Sequence, residues 1–94
     1  MSNQSAQIRK EEARRLSLAY LAERLALSFQ TGAVFRGVNR ENGGDYTEQE
    51  IEDALAFLAG ATPPLIKETT RKLAVSKAWQ ATSEGVLAHE RGEL

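Results

Sequence analysis

Leu65-Ile66-Lys67-Glu68-Thr69-Thr70-Arg71-Lys72-Leu73-Ala74-Val75-Ser76-Lys77-Ala78-Trp79-Gln80-Ala81 is the stretch that decides the fold. It follows Pro63-Pro64, which forbid continuation of any helix before them. Leu65-Ile66-Lys67-Glu68 reads as a strand. Leu73-Ala74-Val75 and Lys77-Ala78-Trp79-Gln80 can pair back on it across the polar Thr69-Thr70-Arg71-Lys72. One helix from Ile66 to Ala81 competes, since Ile66, Thr70, Leu73, Ala74 and Lys77 have partial helical spacing. The hairpin is the expectation taken forward. After it, Thr82 can cap a short last helix, Ser83 to about Glu90.

Immediately upstream lies the best-marked helix start in the chain. Thr47-Glu48-Gln49-Glu50 has the form of a capping box, with Tyr46 and Ile51 at the two positions of a hydrophobic staple. Ile51, Ala54, Leu55 and Leu58 then recur at helical spacing, giving a third helix from Thr47 to Ala59. Gly60 is placed to supply a left-handed stop. Asn42-Gly43-Gly44-Asp45 reads as a turn. Ala33 to Val38 reads as a brief second helix, weakened by Gly37 at about 1 kcal/mol relative to Ala. The first helix runs from about Gln7 to Leu27, with Leu18, Leu21, Ala22 and Leu25 on one face. Ala13, Leu16, Tyr20 and Leu27 make a second stripe. That stripe is covered either by a later helix of the same chain or by a second copy, and periodicity does not separate the two. The second case makes Ala13, Leu16 and Tyr20 a homodimer interface.

The chain has 94 residues, enough for one small domain spanning 1–94, with residues 1–6 expected to be flexible. There is no cysteine, which excludes a disulfide framework, a thiolate nucleophile and thiolate metal ligands. The polar start lacks the apolar stretch of a secretory signal, and no run approaches a membrane span, so a cytoplasmic protein with no membrane partner is expected. A formal charge of −1 hides a segregated pattern: residues 1–41 carry +3, residues 42–62 carry −5, residues 63–81 carry +3 and the remainder −2. The isoelectric point of about 5.8 does not favour a polyanionic partner.

Three helices, then a two-stranded hairpin and a closing helix, is a layout that resembles a winged helix-turn-helix domain. The expected class is therefore mainly α with a small β-hairpin, a three-helix core carrying a two-stranded wing. The resemblance extends to Trp79-Gln80-Ala81-Thr82-Ser83-Glu84-Gly85. Regulators of the MarR and PadR type end the wing with an aromatic or aliphatic residue, then Thr-x-x-Gly opening a helix. Thr82 and Gly85 match, while Ala81 stands where Leu is more usual. Gly85-Val86 and Arg91-Gly92 also look like small winged-helix proteins of Mu-like tailed phages.

The resemblance implies a regulatory protein that binds double-stranded DNA, its third helix in the major groove and its wing on the backbone. Arg71, Lys72, Lys67 and Lys77 on the wing are the expected backbone contacts, with Arg14 and Arg15 of the first helix secondary. The third helix argues the other way, because it has no Lys or Arg and its outward face carries Gln49, Glu52, Asp53 and Ala56. Phosphate neutralisation supplies most of the affinity in such complexes. The alternative is a protein-interaction module in which Glu48, Glu52 and Asp53 meet a basic partner. Glu11 is spaced to pair with Arg15. Trp79, the single tryptophan, is expected to close the wing onto the first helix. His89, the single histidine, is read as solvated. No metal ligand set, cofactor motif or catalytic constellation is evident, so a non-enzyme is expected.

Overall fold

The computed structural model describes residues 3–24, 26–69 and 77–94. Residues 66–69 and 78–81 form the hairpin expected of them. Strand β2 (Ile66–Thr69) pairs antiparallel with β3 (Ala78–Ala81), in the register Ile66 to Ala81, Lys67 to Gln80, Glu68 to Trp79 and Thr69 to Ala78. Side chains alternate across a strand, so buried Ile66, Trp79 and Ala81 face the helices while Lys67 and Gln80 face away. Arg71, Lys72 and the expected Leu73-Ala74-Val75 strand lie outside the described residues. The expected class, mainly helical with a small antiparallel sheet, holds, and the sheet gains a third strand. A two-residue strand, β1 (Phe29–Gln30), pairs with the other edge of β3 through Phe29 to Trp79 and Gln30 to Ala78, giving the order β1-β3-β2.

Helix α1 (Asn3–Ala22) starts and ends earlier than expected. Residues 3–6, expected to be loose, are helical, and Leu27 lies beyond the helix end and is exposed. Leu25, expected on the first apolar face, lies outside the described residues. Ala26 takes a left-handed conformation (φ 70°) in the turn that leads to β1. Helix α2 (Thr31–Asn42) is longer than its expected core, and Gly37 is a packing residue rather than a weak point. A Cβ on Gly37 would lie 2.2 Å from Cε1 of Tyr20, so its absence is what lets α1 and α2 approach there. Tyr20 is held on its other sides too. The Phe29 ring meets it edge-on at 5.3 Å, and the Arg24 guanidinium stacks over it at 3.8 Å. Arg24 also pairs with Glu41 of α2 and donates to the Tyr20 carbonyl at 3.0 Å.

Helix α2 closes on Gly43 in the left-handed conformation (φ 61°), within the expected turn. Helix α3 (Glu48–Ala59) opens with the expected capping box. The Thr47 hydroxyl accepts from the Glu50 amide at 3.1 Å, and the Glu50 carboxylate accepts from the Thr47 amide at 2.8 Å. Gly60 is not left-handed (φ −89°, ψ 0°); its N–H donates to the Ala56 carbonyl at 3.0 Å. The helix therefore stops because Pro63-Pro64 cannot extend it, not because glycine reverses it.

Leu18, Leu21, Val34, Val38, Ile51, Leu55, Leu58 and Ile66 form the core, drawn from α1, α2, α3 and β2. Helix α4 (Ser83–Arg91) is fastened to the base of the hairpin. Its cap residue Thr82 accepts from the Gly85 amide at 3.0 Å and donates to the Pro64 carbonyl at 2.7 Å. Among the described residues, no helix is long and apolar enough to cross a membrane.

Candidate functional site

Helix α3 divides its outward residues between two grooves. Glu48, Glu52 and Ala56 line one with Thr31 and Arg36 of α2 and with Lys77, a hollow of about 430 Å³. Trp79 lies at its wall, its indole N–H donating to the Thr31 hydroxyl at 3.0 Å. That bond ties the hairpin to the start of α2, and strand β3 also packs against α1, the helix to which the sequence pointed. On its other side, Asp53 and Ala54 face Lys10, Ala13 and Arg14 of α1 across a groove of about 350 Å³. The acidic trio expected to act together is thus split: Glu48 and Glu52 open toward α2, and Asp53 toward α1. Successive residues of a helix are about 100° apart, which separates Asp53 from Glu52.

The expected DNA-contacting cations are also separated. Lys67 lies on the outward face of the hairpin, in a shallow hollow with Ala26, Gln80 and Glu84. Lys77 shares the side of β3 that carries Trp79 and lines the α2–α3 groove. Arg14 stacks on the Phe57 ring at 3.6 Å from its centre. Arg15 has Glu12, rather than Glu11, as its acidic neighbour, at 3.9 Å. Arg71 and Lys72 lie outside the described residues.

The second stripe of α1 is covered from within the chain. Ala13 is 2% exposed and Tyr20 7%, while Leu16 is half-buried against the core. Ala13 and Tyr20 therefore offer no free apolar surface to a second copy. His89, read as solvated, reaches Glu23 at the end of α1, its Nε2 3.3 Å from the carboxylate. Helical spacing could not reveal a partner 66 positions away in sequence.

Sequence inspection missed the strongest ionic cluster. Arg9 grips Glu50 with two nitrogens, at 2.5 and 2.9 Å, and reaches the Asp45 carboxylate at 3.2 Å and its carbonyl at 3.1 Å. The guanidinium also stands 4.8 Å from the centre of the Tyr46 ring. Hydrogen bonds from Arg9 hold the Glu50 carboxyl down at about 2, and the same bonds keep Arg9 charged at any pH of interest. Burial, then the hydrogen bond from its hydroxyl to Glu12, pushes Tyr46 up to about 12. Because the Glu50 value in the fold lies below its ordinary 4.5, its contribution is complete above pH 4.5 and is lost as pH falls toward 2. Thermal melts of wild type and Glu50→Gln should therefore differ most above pH 4.5 and converge toward pH 2. A constant gap would refute the assignment.

No protein-family model, curated protein or solved structure matches the chain. What the two grooves do must be judged from their own chemistry. Among the described residues, no group of three His, Asp or Glu side chains is placed to hold a metal ion. The α2–α3 groove is mixed in charge, lined by Arg36 of α2, Lys77 beside β3, and Glu48 and Glu52 of α3. Such a surface does not favour a uniform polyanion, and its exposed acids on α3 are open to the basic groups of a partner.

Proposed function

We propose that the chain is a small, non-catalytic winged-helix interaction module that docks a basic protein surface against Glu48 and Glu52 in the α2–α3 groove. The element order, with β1 and β2 flanking β3, supports the winged-helix likeness. The observation that carries the choice of partner is the scatter of cations. In a DNA-binding member, the third helix and the wing would present one positive strip to the phosphates. Here α3 contains no Lys or Arg, Lys67 and Lys77 line different hollows, and Arg14 is stacked on Phe57.

Two titrations separate this reading from DNA binding. An oligolysine peptide added to labelled protein should shift amide resonances of Thr31–Arg36 and Glu48–Ala56. The double variant Glu48→Lys, Glu52→Lys should abolish those shifts. Fluorescent random-sequence duplex should show no binding at low salt. The proposal is overturned if duplex binds with a steep salt dependence that Arg71→Ala with Lys72→Ala flattens.

A further inference from the structure

The groove between α1 and α3 is not used by the proposed partner face and carries its own charge pattern. Its α1 wall is basic, from Lys10 and Arg14, and its α3 wall bears Asp53. Lys10 is exposed and makes no ion pair among the described residues. Asp53 is exposed as well, its carboxylate accepting from the Gln49 side chain at 2.9 Å. Between them the floor is closed by Ala13 and Ala54, 2% and 3% exposed, and one turn further along α3 Phe57 is 45% exposed with the Arg14 guanidinium over its ring.

We propose that this groove is the contact surface of a homodimer in which Lys10 of each copy pairs with Asp53 of the other. A symmetric interface must be self-complementary, because every contact from one copy to the other is made twice. A two-fold axis running along the groove lays α1 of one copy over α3 of its partner. Each positive wall then meets a negative one. The surface is small, so association belongs with interfaces below about 1,200 Å² in total, which are weak and concentration-dependent. This proposal uses the side of α3 opposite the partner groove and stands independently of it.

The test uses two substitutions of exposed residues, Lys10→Glu and Asp53→Lys, with circular dichroism confirming that both fold. Wild type should show a sedimentation coefficient that rises with concentration. Each variant alone places like charges at both contacts and should weaken the dimer by about tenfold or more. Mixed in equal amounts, the two variants should associate at least as well as wild type. The carboxylate introduced by one substitution then faces the ammonium introduced by the other, while the remaining contact keeps its native Lys10 and Asp53. Wild type that stays monomeric up to about 1 mM, above the range of weak specific interfaces, overturns the proposal. So does a mixture that associates no better than its components.

Discussion

Gly85→Ala is expected to lower the stability of the domain by about 3 kcal/mol or more, the upper range for overpacking a filled site. A Cβ at this position would lie 1.9 Å from the carbonyl oxygen of Leu65 and 2.9 Å from its carbonyl carbon. Both are backbone atoms, and neither is free to retreat. The Leu65 oxygen accepts from the Thr82 amide at 3.1 Å, and the Leu65 amide donates to the Leu58 carbonyl at 3.0 Å. Relief would mean lifting α4 from the base of the hairpin or pulling Leu65 away from the end of α3. Domains of this size have a total stability of about 5 to 14 kcal/mol, so the loss should take a large share of it and lower the denaturation midpoint markedly. Urea denaturation measures this directly. Gly43→Ala is the control: no atom lies within 4 Å of its Cβ position, and only the left-handed backbone (φ 61°) penalises alanine, by about 1 kcal/mol. Equal losses at the two sites would show that the contact with Leu65 is not what Gly85 is for.

Gly37→Ala should be the next most damaging change, and its sign is informative. Helix propensity alone says that alanine in the middle of α2 adds about 1 kcal/mol of stability. The added methyl would instead meet the Tyr20 ring at 2.2 to 2.7 Å. That ring cannot swing away easily between Phe29 and the Arg24 guanidinium. A net loss of about 2 kcal/mol is expected, as for other overpacked cores. Tyr20→Leu vacates the space, so the double variant should be less destabilised than the two single losses added together. Additive effects, or a stabilised single variant, would contradict the close packing of α1 on α2.

What could be read from sequence was local. The capping box at Thr47 and Glu50 and the cap at Thr82 each rest on residues three positions apart, and both appear in the fold; Tyr46 and Ile51, at the staple positions, are both buried. The hairpin was legible in part: Pro63-Pro64 end the helix before it, but the spacing of Ile66, Thr70, Leu73, Ala74 and Lys77 left a helix in competition. Strand β1 was not, because two residues carry no periodicity and their pairing depends on Trp79, fifty positions on. Gly37 looked like a flaw because propensity does not record what lies across the helix interface. The grip of Arg9 on Glu50 spans 41 positions and has no sequence signature. The candidate surface suffered most from this limit. Glu52 and Asp53 are neighbours in the chain yet face different grooves, and Lys67 and Lys77 line different hollows.

The packing of α3 has one more consequence, for how the chain could diversify. Glu50 is committed twice over, to the amide of Thr47 and to Arg9, whereas Glu48, Gln49, Glu52 and Asp53 around it are exposed and hold up no part of the core. Structural and displayed positions therefore alternate within a single short helix. New recognition properties could be written onto that helix by surface substitutions alone, with its anchoring left untouched, so descendants of one scaffold could trade partners without passing through an unfolded ancestor.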